Sequence, residues 1–275
     1  MDYIEIQFVL KERVPIIDVF IQEIADLGFD AFQENLNVLS SFIPSINYNE
    51  KKLQEIIDNY SSFIISFKAI DHPFKNWNKK WESSFNPILI NENCQIRASF
   101  HQPSDKKYDI IINPEMSFGT GHHETTRLMA KDLFKHDLKN KTVLDFGSGT
   151  AILSILSEKL GAKEVDAVEI DKNANQNANQ NLVTNNCKVI KIIDGGGDSI
   201  PNKKYDYLLI NINKNTITQE FTNFLEAMKK NSTVLFSGFF ESDIDYIKDL
   251  SIKSGLKILY SDLENQWALL VMIKK

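Results

Sequence analysis

Two glycines follow a run of apolar residues near the middle of the chain, in the segment 143–151, VLDFGSGTA. The pattern predicts a buried strand, a glycine turn and a helix that begins near Thr150. Gly147 and Gly149 permit tight backbone conformations and let a ligand approach the main chain. Glu169 ends the next predicted strand, 22 residues beyond Gly147, where a carboxylate can accept hydrogen bonds from both hydroxyls of a ribose. The sequence therefore predicts a site for a nucleoside-containing cofactor.

The same segment argues against two other nucleotide-binding motifs. The dinucleotide fingerprint G-x-G-x-x-G/A needs a small residue at its sixth position, which is Ile152 here. The sequence G-x-x-x-x-G-K-[ST] does not occur, so a P-loop is excluded.

A second glycine-containing loop lies in the segment 113–126, NPEMSFGTGHHETT. One interpretation is a plain connection in which a polar side chain caps the following helix. The functional interpretation is a loop hinged at its glycines that closes over the cofactor. Phe118 would then supply an apolar lid, and Thr126 would supply a hydroxyl for the polar end of the cofactor.

A polar residue also ends the predicted buried strand 205–211, at the edge of the sheet where α/β proteins place ligands. Asn211 is therefore a candidate ligand-binding residue, although it could simply be a turn residue. We expect no metal site, because His122 and His123 are adjacent and have no acidic partner at ligand spacing.

The elements that must position these residues fall into two groups. Residues 1–70 alternate in the order β-α-β-β-α-β, which is typical of a ferredoxin-like α+β domain. Residues 71–87 contain two prolines together with Trp77 and Trp81, and we interpret them as a linker. From residue 88 to 275, alternating β and α units predict a mainly parallel sheet with helices on both faces and an antiparallel end.

The individual elements of this second group follow from hydrophobic periodicity. We expect strands near residues 95–100, 108–113, 142–146, 164–169, 187–193, 205–211 and 232–238, helices near 122–136, 151–160, 172–183, 214–230 and 243–254, and two terminal strands within 256–273.

Composition limits the class of protein. The 275 residues include 31 Lys and Arg against 37 Asp and Glu, a net charge of −6, so we expect no stable nucleic-acid binding. Two distant cysteines, Cys94 and Cys187, exclude a disulfide scaffold. The first residues do not form a signal peptide, and no apolar run approaches the length of a membrane span. We therefore expect a soluble, cytoplasmic protein without a membrane partner.

Three motifs together resemble the ribosomal protein L11 methyltransferases (PrmA-type) of the class I S-adenosylmethionine (SAM) methyltransferase superfamily. They are N-P-x-x-x-F-G-T-G-x-H-x-T-T, D-F-G-x-G-x-x-I-L, and N-I after the fourth core strand. The N-terminal unit and the two-tryptophan linker are also similar, so the resemblance covers nearly the whole chain.

The resemblance implies a Rossmann-like domain in which Thr126, Gly147, Glu169 and Asn211 contact SAM. Glu169 stands where Asp is often found, and Asp171 is an alternative for the ribose-binding acid. The resemblance also implies methylation of lysine side chains and the N-terminal amine of ribosomal protein L11, which residues 1–70 would recognise. No general base is evident, so the catalytic residues remain unassigned.

Two other functions are considered. Glutamine and nucleic-acid N-methyltransferases commonly carry an Asn/Asp-Pro-Pro-aromatic motif after the fourth strand, whereas this chain has Asn-Ile-Asn-Lys at 211–214. A non-catalytic binding module with a degenerate methyltransferase fold is the second alternative, and the intact glycine turn argues against it.

Overall fold

A computed structural model of the chain describes residues 2–11, 16–72, 85–113 and 119–275. The backbone divides into two compact units, Met1–Ser84 and Phe85–Lys275. Most of the predicted linker, including Trp77 and Trp81, lies outside the described residues, so its role and the division at residues 70 and 88 remain predictions.

The N-terminal unit has the predicted order of elements. These are β1 (Tyr3–Leu10), α1 (Ile16–Asp26), β2 (Ala31–Asn35), β3 (Val38–Pro44), α2 (Glu50–Asn59) and β4 (Ile64–His72). The strands form an antiparallel sheet in the order β2-β3-β1-β4, which is the ferredoxin-like arrangement. The buried rings of Phe8 and Phe20 join sheet and helix edge to face, with centroids 5.0 Å apart.

The second unit contains the remaining elements. They are β5 (Ile88–Asn91), β6 (Cys94–Arg97), β7 (Tyr108–Ile111), α3 (Glu124–Leu133), β8 (Thr142–Phe146), α4 (Ile152–Lys159), β9 (Glu164–Glu169), α5 (Lys172–Thr184), β10 (Ile190–Asp194), β11 (Tyr205–Asn211), α6 (Lys214–Ala227), β12 (Met228–Phe240), α7 (Ile244–Lys253), β13 (Leu256–Glu264) and β14 (Trp267–Lys274). In the part of the chain that the structure describes, no helix is long and apolar enough to cross a membrane.

Seven of these strands form the main sheet, in the order β10-β9-β8-β11-β12-β14-β13. The first five are parallel, and β14 pairs antiparallel with β12 and β13, as the predicted antiparallel end requires. Every residue of β8 is buried, because helices cover both faces of the sheet. The carboxyl ends of the parallel strands and the start of β14 therefore share one edge.

Two details of the predicted elements were wrong. The strands expected near 95–100 and 108–113 lie outside the main sheet and form a separate three-stranded sheet with β5, which was not predicted. These strands have only four residues each, and their apolar side chains pack with those of α3 and α4 in one core. The helix expected to reach residue 230 ends at Ala227, because Met228 already pairs with Tyr205 as part of β12.

Candidate active site

A cavity of about 630 Å³ lies at the carboxyl edge of the main sheet. Its size is within the usual range for small-molecule and cofactor sites. Residues at or just beyond the ends of six strands line it, in sheet order Gly195, Glu169, Gly147, Asn211, Gly238 and Trp267. The sheet thus brings three of the predicted residues, Gly147, Glu169 and Asn211, to one site, together with Gly149.

The glycine turn follows β8 as predicted. Gly147 has φ of +72°, and a β-carbon there would lie 2.2 Å from Cγ2 of Ile212. A side chain here would be strained by the left-handed backbone conformation and would have to displace the Ile212 side chain, so glycine is strongly favoured. The Gly147 N–H donates to the carbonyl of Val168 over 2.8 Å, so the turn is fixed against the end of β9.

The carboxylate of Glu169 is held at the cavity wall by the main chain. Oε2 accepts the N–H of Gly149 over 2.9 Å, and Oε1 accepts those of Ile170 and Asp171 over 2.8 and 2.9 Å. A carboxylate has about four acceptor sites, so this one can still accept a hydrogen bond from a hydroxyl group. Asp171 is instead the N-cap of α5 and is not among the described residues that line the cavity, which makes it the weaker candidate for a ribose.

A second acid lies beneath the glycine turn. Asp145 is buried and accepts a hydrogen bond from Ser154 Oγ over 2.6 Å. Burial raises the pKa of Asp145 to about 7, Glu169 adds to the rise, and the hydrogen bonds from Ser154 oppose it. The sequence interpretation gave this residue no role, although the motif D-x-G-x-G places an acid at this position.

Asn211 carries an unpartnered polar atom. Its Nδ2 donates to Thr126 Oγ1 over 3.4 Å, whereas its Oδ1 is buried and has no hydrogen-bond partner among the described residues. A buried acceptor without a partner is costly, so a ligand with an N–H group would stabilise it. Thr126 lies behind Asn211 and is not among the described lining residues; its neighbour Thr125 is one of them.

The far end of the cavity is formed by His123 and Trp267, which the sequence interpretation did not assign to the site. His123 is the N-cap of α3, and its Nδ1 accepts the N–H of Thr125 over 3.3 Å. The His123 and Trp267 rings pack edge to face, with centroids 4.6 Å apart. Trp267 follows a two-residue hairpin turn and opens β14 at the site edge. That position in the fold was the only signal that could have pointed to it.

An ion-pair network fixes this hairpin to α3. Arg127 Nε donates to Glu264 Oε1 over 2.6 Å, and Lys131 Nζ donates to Glu264 Oε2 over 3.0 Å. Asn265 in the turn donates to Glu124 Oε1 over 2.8 Å. The contacts hold the start of β14 beside the first turn of α3, where His123 and Thr125 lie.

The second glycine loop meets the glycine turn directly. Thr150 Oγ1 donates to the carbonyl of Gly119 over 2.6 Å, and Gly119 and Gly121 have φ of +101° and +92°. Phe118, the predicted apolar lid, lies outside the described residues, so its role remains a prediction.

Asparagines on one face of α5 and at its C-cap hold the segment that leads into this loop. Asn185 exchanges two hydrogen bonds with the backbone of Ile111, over 3.0 and 2.6 Å. Asn181 Oδ1 accepts the N–H of Asn113 over 3.0 Å, and Asn177 Nδ2 donates to the carbonyl of Asn113 over 3.2 Å. The three side chains, spaced four residues apart, pair with the extended backbone as a neighbouring strand would.

The sheet order and the site at its carboxyl edge define the fold of a class I methyltransferase. A family model described as "Ribosomal protein L11 methyltransferase (PrmA)" matches residues 20–275. A ribosomal protein L11 methyltransferase from Phocaeicola vulgatus is 32% identical over 281 residues, and the alignment covers 100% of both chains. One from Bacteroides fragilis is 35% identical over 256 residues, with 91% of each chain covered. The chain belongs to the ribosomal protein L11 methyltransferase family.

A solved structure supports the fold assignment. The crystal structure of ribosomal protein L11 methylase from Lactobacillus delbrueckii subsp. bulgaricus superposes with a TM-score of 0.64 at 23% identity. It covers 70% of this chain and 100% of the other. At this identity the likeness shows the fold alone.

Proposed function

We propose that this chain methylates ribosomal protein L11 in the cytoplasm, using SAM, and that the acceptors are lysine side chains and the N-terminal amine. Family membership supports the substrate, since the curated relatives carry that name. The observation that carries the proposal is a single cavity lined both by Glu169, whose carboxylate is anchored by the main chain, and by Asn211, whose buried Oδ1 has no hydrogen-bond partner among the described residues.

The residues present fit SAM. Glu169 has an acceptor site left for a ribose hydroxyl, and Gly147 and Gly149 let a ligand lie against the main chain. Asn211, supported by Thr126, offers an acceptor for an ammonium or amine N–H. Phe118 completes the proposed set as an apolar cover. Bound SAM supplies a methyl group on a positively charged sulfur, which is already a good leaving group.

The protein must present an uncharged amine. A lysine with an ordinary pKa of about 10.4 is protonated at neutral pH, and releasing its proton costs about 4.6 kcal/mol. Among the described residues that line the cavity, those beside His123 and Trp267 include no carboxylate, so none of these lining side chains raises the pKa of an incoming amine. Asn211 Oδ1 is suited to orient either this amine or the ammonium group of SAM.

Residues 1–70 are proposed to recognise the substrate. The residues that line the cavity all lie in the second unit, so the N-terminal domain contributes none of the described groups of the site. The net charge of −6 favours a basic protein over a nucleic acid as partner.

The test is transfer of isotope-labelled methyl groups from SAM to purified ribosomal protein L11, located by mass spectrometry of peptides. We expect several methyl groups on lysines and on the N-terminal amine. Ribosomal RNA offered in the same reaction should remain unlabelled. Label on RNA alone, or on no component, would contradict the proposal.

A further inference from the structure

The cavity has two ends that differ in chemistry, and the strand order determines which residues belong to each. Glu169 ends β9, which lies between β8 and β10 in the sheet. Gly238 and Trp267 belong to β12 and β14, on the other side of β11. With the ribose on Glu169, the end beside β12 and β14 remains for the acceptor amine. This step rests on the function proposed above.

An indole ring forms part of the wall at the acceptor end. Trp267 stacks on Phe240 with ring centroids 4.2 Å apart and an angle of 29° between the planes. The His123 ring packs against the Trp267 ring in a T-shaped arrangement. The Arg127–Glu264 ion pair holds the hairpin that carries Trp267. The ring is therefore fixed in place before any substrate arrives.

The charge distribution separates the two ends further. The carboxylates among the described lining residues are Glu169 and Glu220. Glu220 Oε2 accepts a hydrogen bond from Asn223 Nδ2 over 2.7 Å and lies against Gly197, which follows β10 in the chain. The described residues that line the β14 end are therefore aromatic rather than anionic. Aromatic faces attract quaternary ammonium groups, which have no N–H to donate.

We propose that Trp267 contacts the acceptor amine and retains its methylated forms, so that one site adds several methyl groups to the same nitrogen. In each transfer the neutral amine nitrogen bonds to the methyl carbon, and the carbon–sulfur bond breaks with its electron pair left on sulfur. The first two transfers leave a protonated amine that loses its proton to solvent. The third leaves a fixed positive charge. Each added methyl group replaces an N–H of the acceptor that could donate a hydrogen bond to Asn211 Oδ1. The attraction between the cationic acceptor and the indole ring persists through all three methylations.

The first measurement follows the products. Trp267→Leu removes the aromatic face, Trp267→Phe keeps one, and Tyr246→Leu removes an exposed aromatic side chain that is not among the described lining residues. For Trp267→Leu we expect the trimethylated fraction of L11 to fall about fivefold with the affinity for SAM within about twofold of wild type. The other two variants should stay near wild type. Unchanged products in Trp267→Leu, or an equal loss of SAM affinity, would overturn the proposal.

The second measurement needs no turnover. Tetramethylammonium chloride is titrated into each protein and followed by NMR, at constant ionic strength, with neopentanol as an uncharged ligand of similar size that has three of the four methyl groups. We expect Trp267→Leu to weaken tetramethylammonium binding about fivefold and neopentanol binding less. Equal tetramethylammonium binding in wild type and Trp267→Leu would refute the role of Trp267. If the wild type labels no L11 but binds tetramethylammonium through Trp267, the proposed function fails and the cation site stands.

Discussion

The side-chain amide of Asn181 donates a hydrogen bond to the backbone carbonyl of Thr150 over 3.1 Å. Asn181 is fully buried on α5, and Thr150 belongs to the glycine turn. The same asparagine accepts the N–H of Asn113, and the hydroxyl of Thr150 donates to Gly119. Asn181 and Thr150 thus connect the glycine turn to the described residues on either side of the segment 114–118.

Asn181→Ala is expected to weaken SAM binding, because both the glycine turn and the loop start lose their partner. Leaving buried backbone groups unsatisfied costs on the order of 1–3 kcal/mol each. We expect the affinity for SAM, measured by calorimetry, to fall about tenfold and the melting temperature to drop by several degrees.

Asn179→Ala is the matched control, since this exposed asparagine lies on the same helix and donates only to the carbonyl of Asn175 among the described contacts. It should change neither quantity by more than a small amount. Equal effects of the two substitutions would mean that Asn181 has no special connection to the site.

Glu169→Ala is expected to reduce the affinity for SAM about ten- to a hundredfold. A hydrogen bond to a charged acceptor contributes roughly 1.5–3 kcal/mol, and the variant removes this acceptor for the ribose hydroxyls. Glu169→Gln keeps one neutral acceptor and should lose less.

Asp171→Ala provides the comparison for the alternative ribose-binding acid. It removes the N-cap of α5, whose side chain accepts the N–H groups of Asn173 and Ala174, and should cost about 1 kcal/mol of stability. Its dissociation constant for SAM should stay close to that of wild type. If Asp171→Ala loses more affinity than Glu169→Ala, the ribose has been assigned to the wrong acid.

The features that the sequence predicted correctly depend on local patterns. The glycine turn and the position of Glu169 at the end of the next strand could be predicted because a buried strand, its turn and the next strand end lie within one short stretch. The antiparallel pair at the end of the chain could be predicted because its strands are adjacent in sequence.

The features that were missed depend on contacts between distant segments. Trp267 reaches the cavity only because β14 runs antiparallel to its neighbours and starts at the site edge. The asparagine-rich helix had the right spacing, every fourth residue at Asn177, Asn181 and Asn185, but its partner strand end lies more than 60 residues away in the chain. The separate sheet was missed because four-residue strands have no clear period.

Asp206 is expected to make stability depend on pH. Its Oδ2 accepts hydrogen bonds from Lys229 Nζ and from the N–H and hydroxyl of Thr142, over 2.8–2.9 Å. Burial opposes ionisation, but Lys229 and Thr142 prevail and lower the pKa of Asp206 to about 2. A lowered pKa stabilises the folded state above the unfolded value near 4, and this stabilisation is lost as the pH falls towards 2.

Asp206→Asn should therefore lower the free energy of unfolding by on the order of 1–2 kcal/mol at pH 7 and by much less near pH 2. Urea midpoints at the two pH values measure the difference. SAM affinity serves as the control and should be unchanged, because Asp206 and Thr142 lie at the starts of β11 and β8, at the opposite edge from the cavity. A pH-independent effect would show that the hydrogen bonds of Asp206 do not require its charge.

Removal of the N-terminal unit tests the proposed division of labour. The second unit starts at Phe85 and has hydrophobic cores of its own, formed on both faces of the main sheet. A truncated chain that begins at Phe85 should therefore bind SAM with an affinity within about threefold of the full chain. It should methylate intact ribosomal protein L11 at least about a hundredfold more slowly, because it lacks the proposed recognition domain. A hundredfold loss corresponds to about 2.7 kcal/mol of substrate binding, which is a modest contribution for a whole domain.

Two controls make this result interpretable. A short lysine peptide at high concentration should be methylated by the full and truncated chains at similar low rates, because methylation of so small a substrate does not require the N-terminal unit. Loss of SAM binding on truncation would report damage to the second unit, and the comparison would then be repeated with the full chain and surface substitutions on β2. If the truncated chain binds SAM and modifies intact L11 at nearly the full rate, residues 1–70 do not recognise the substrate.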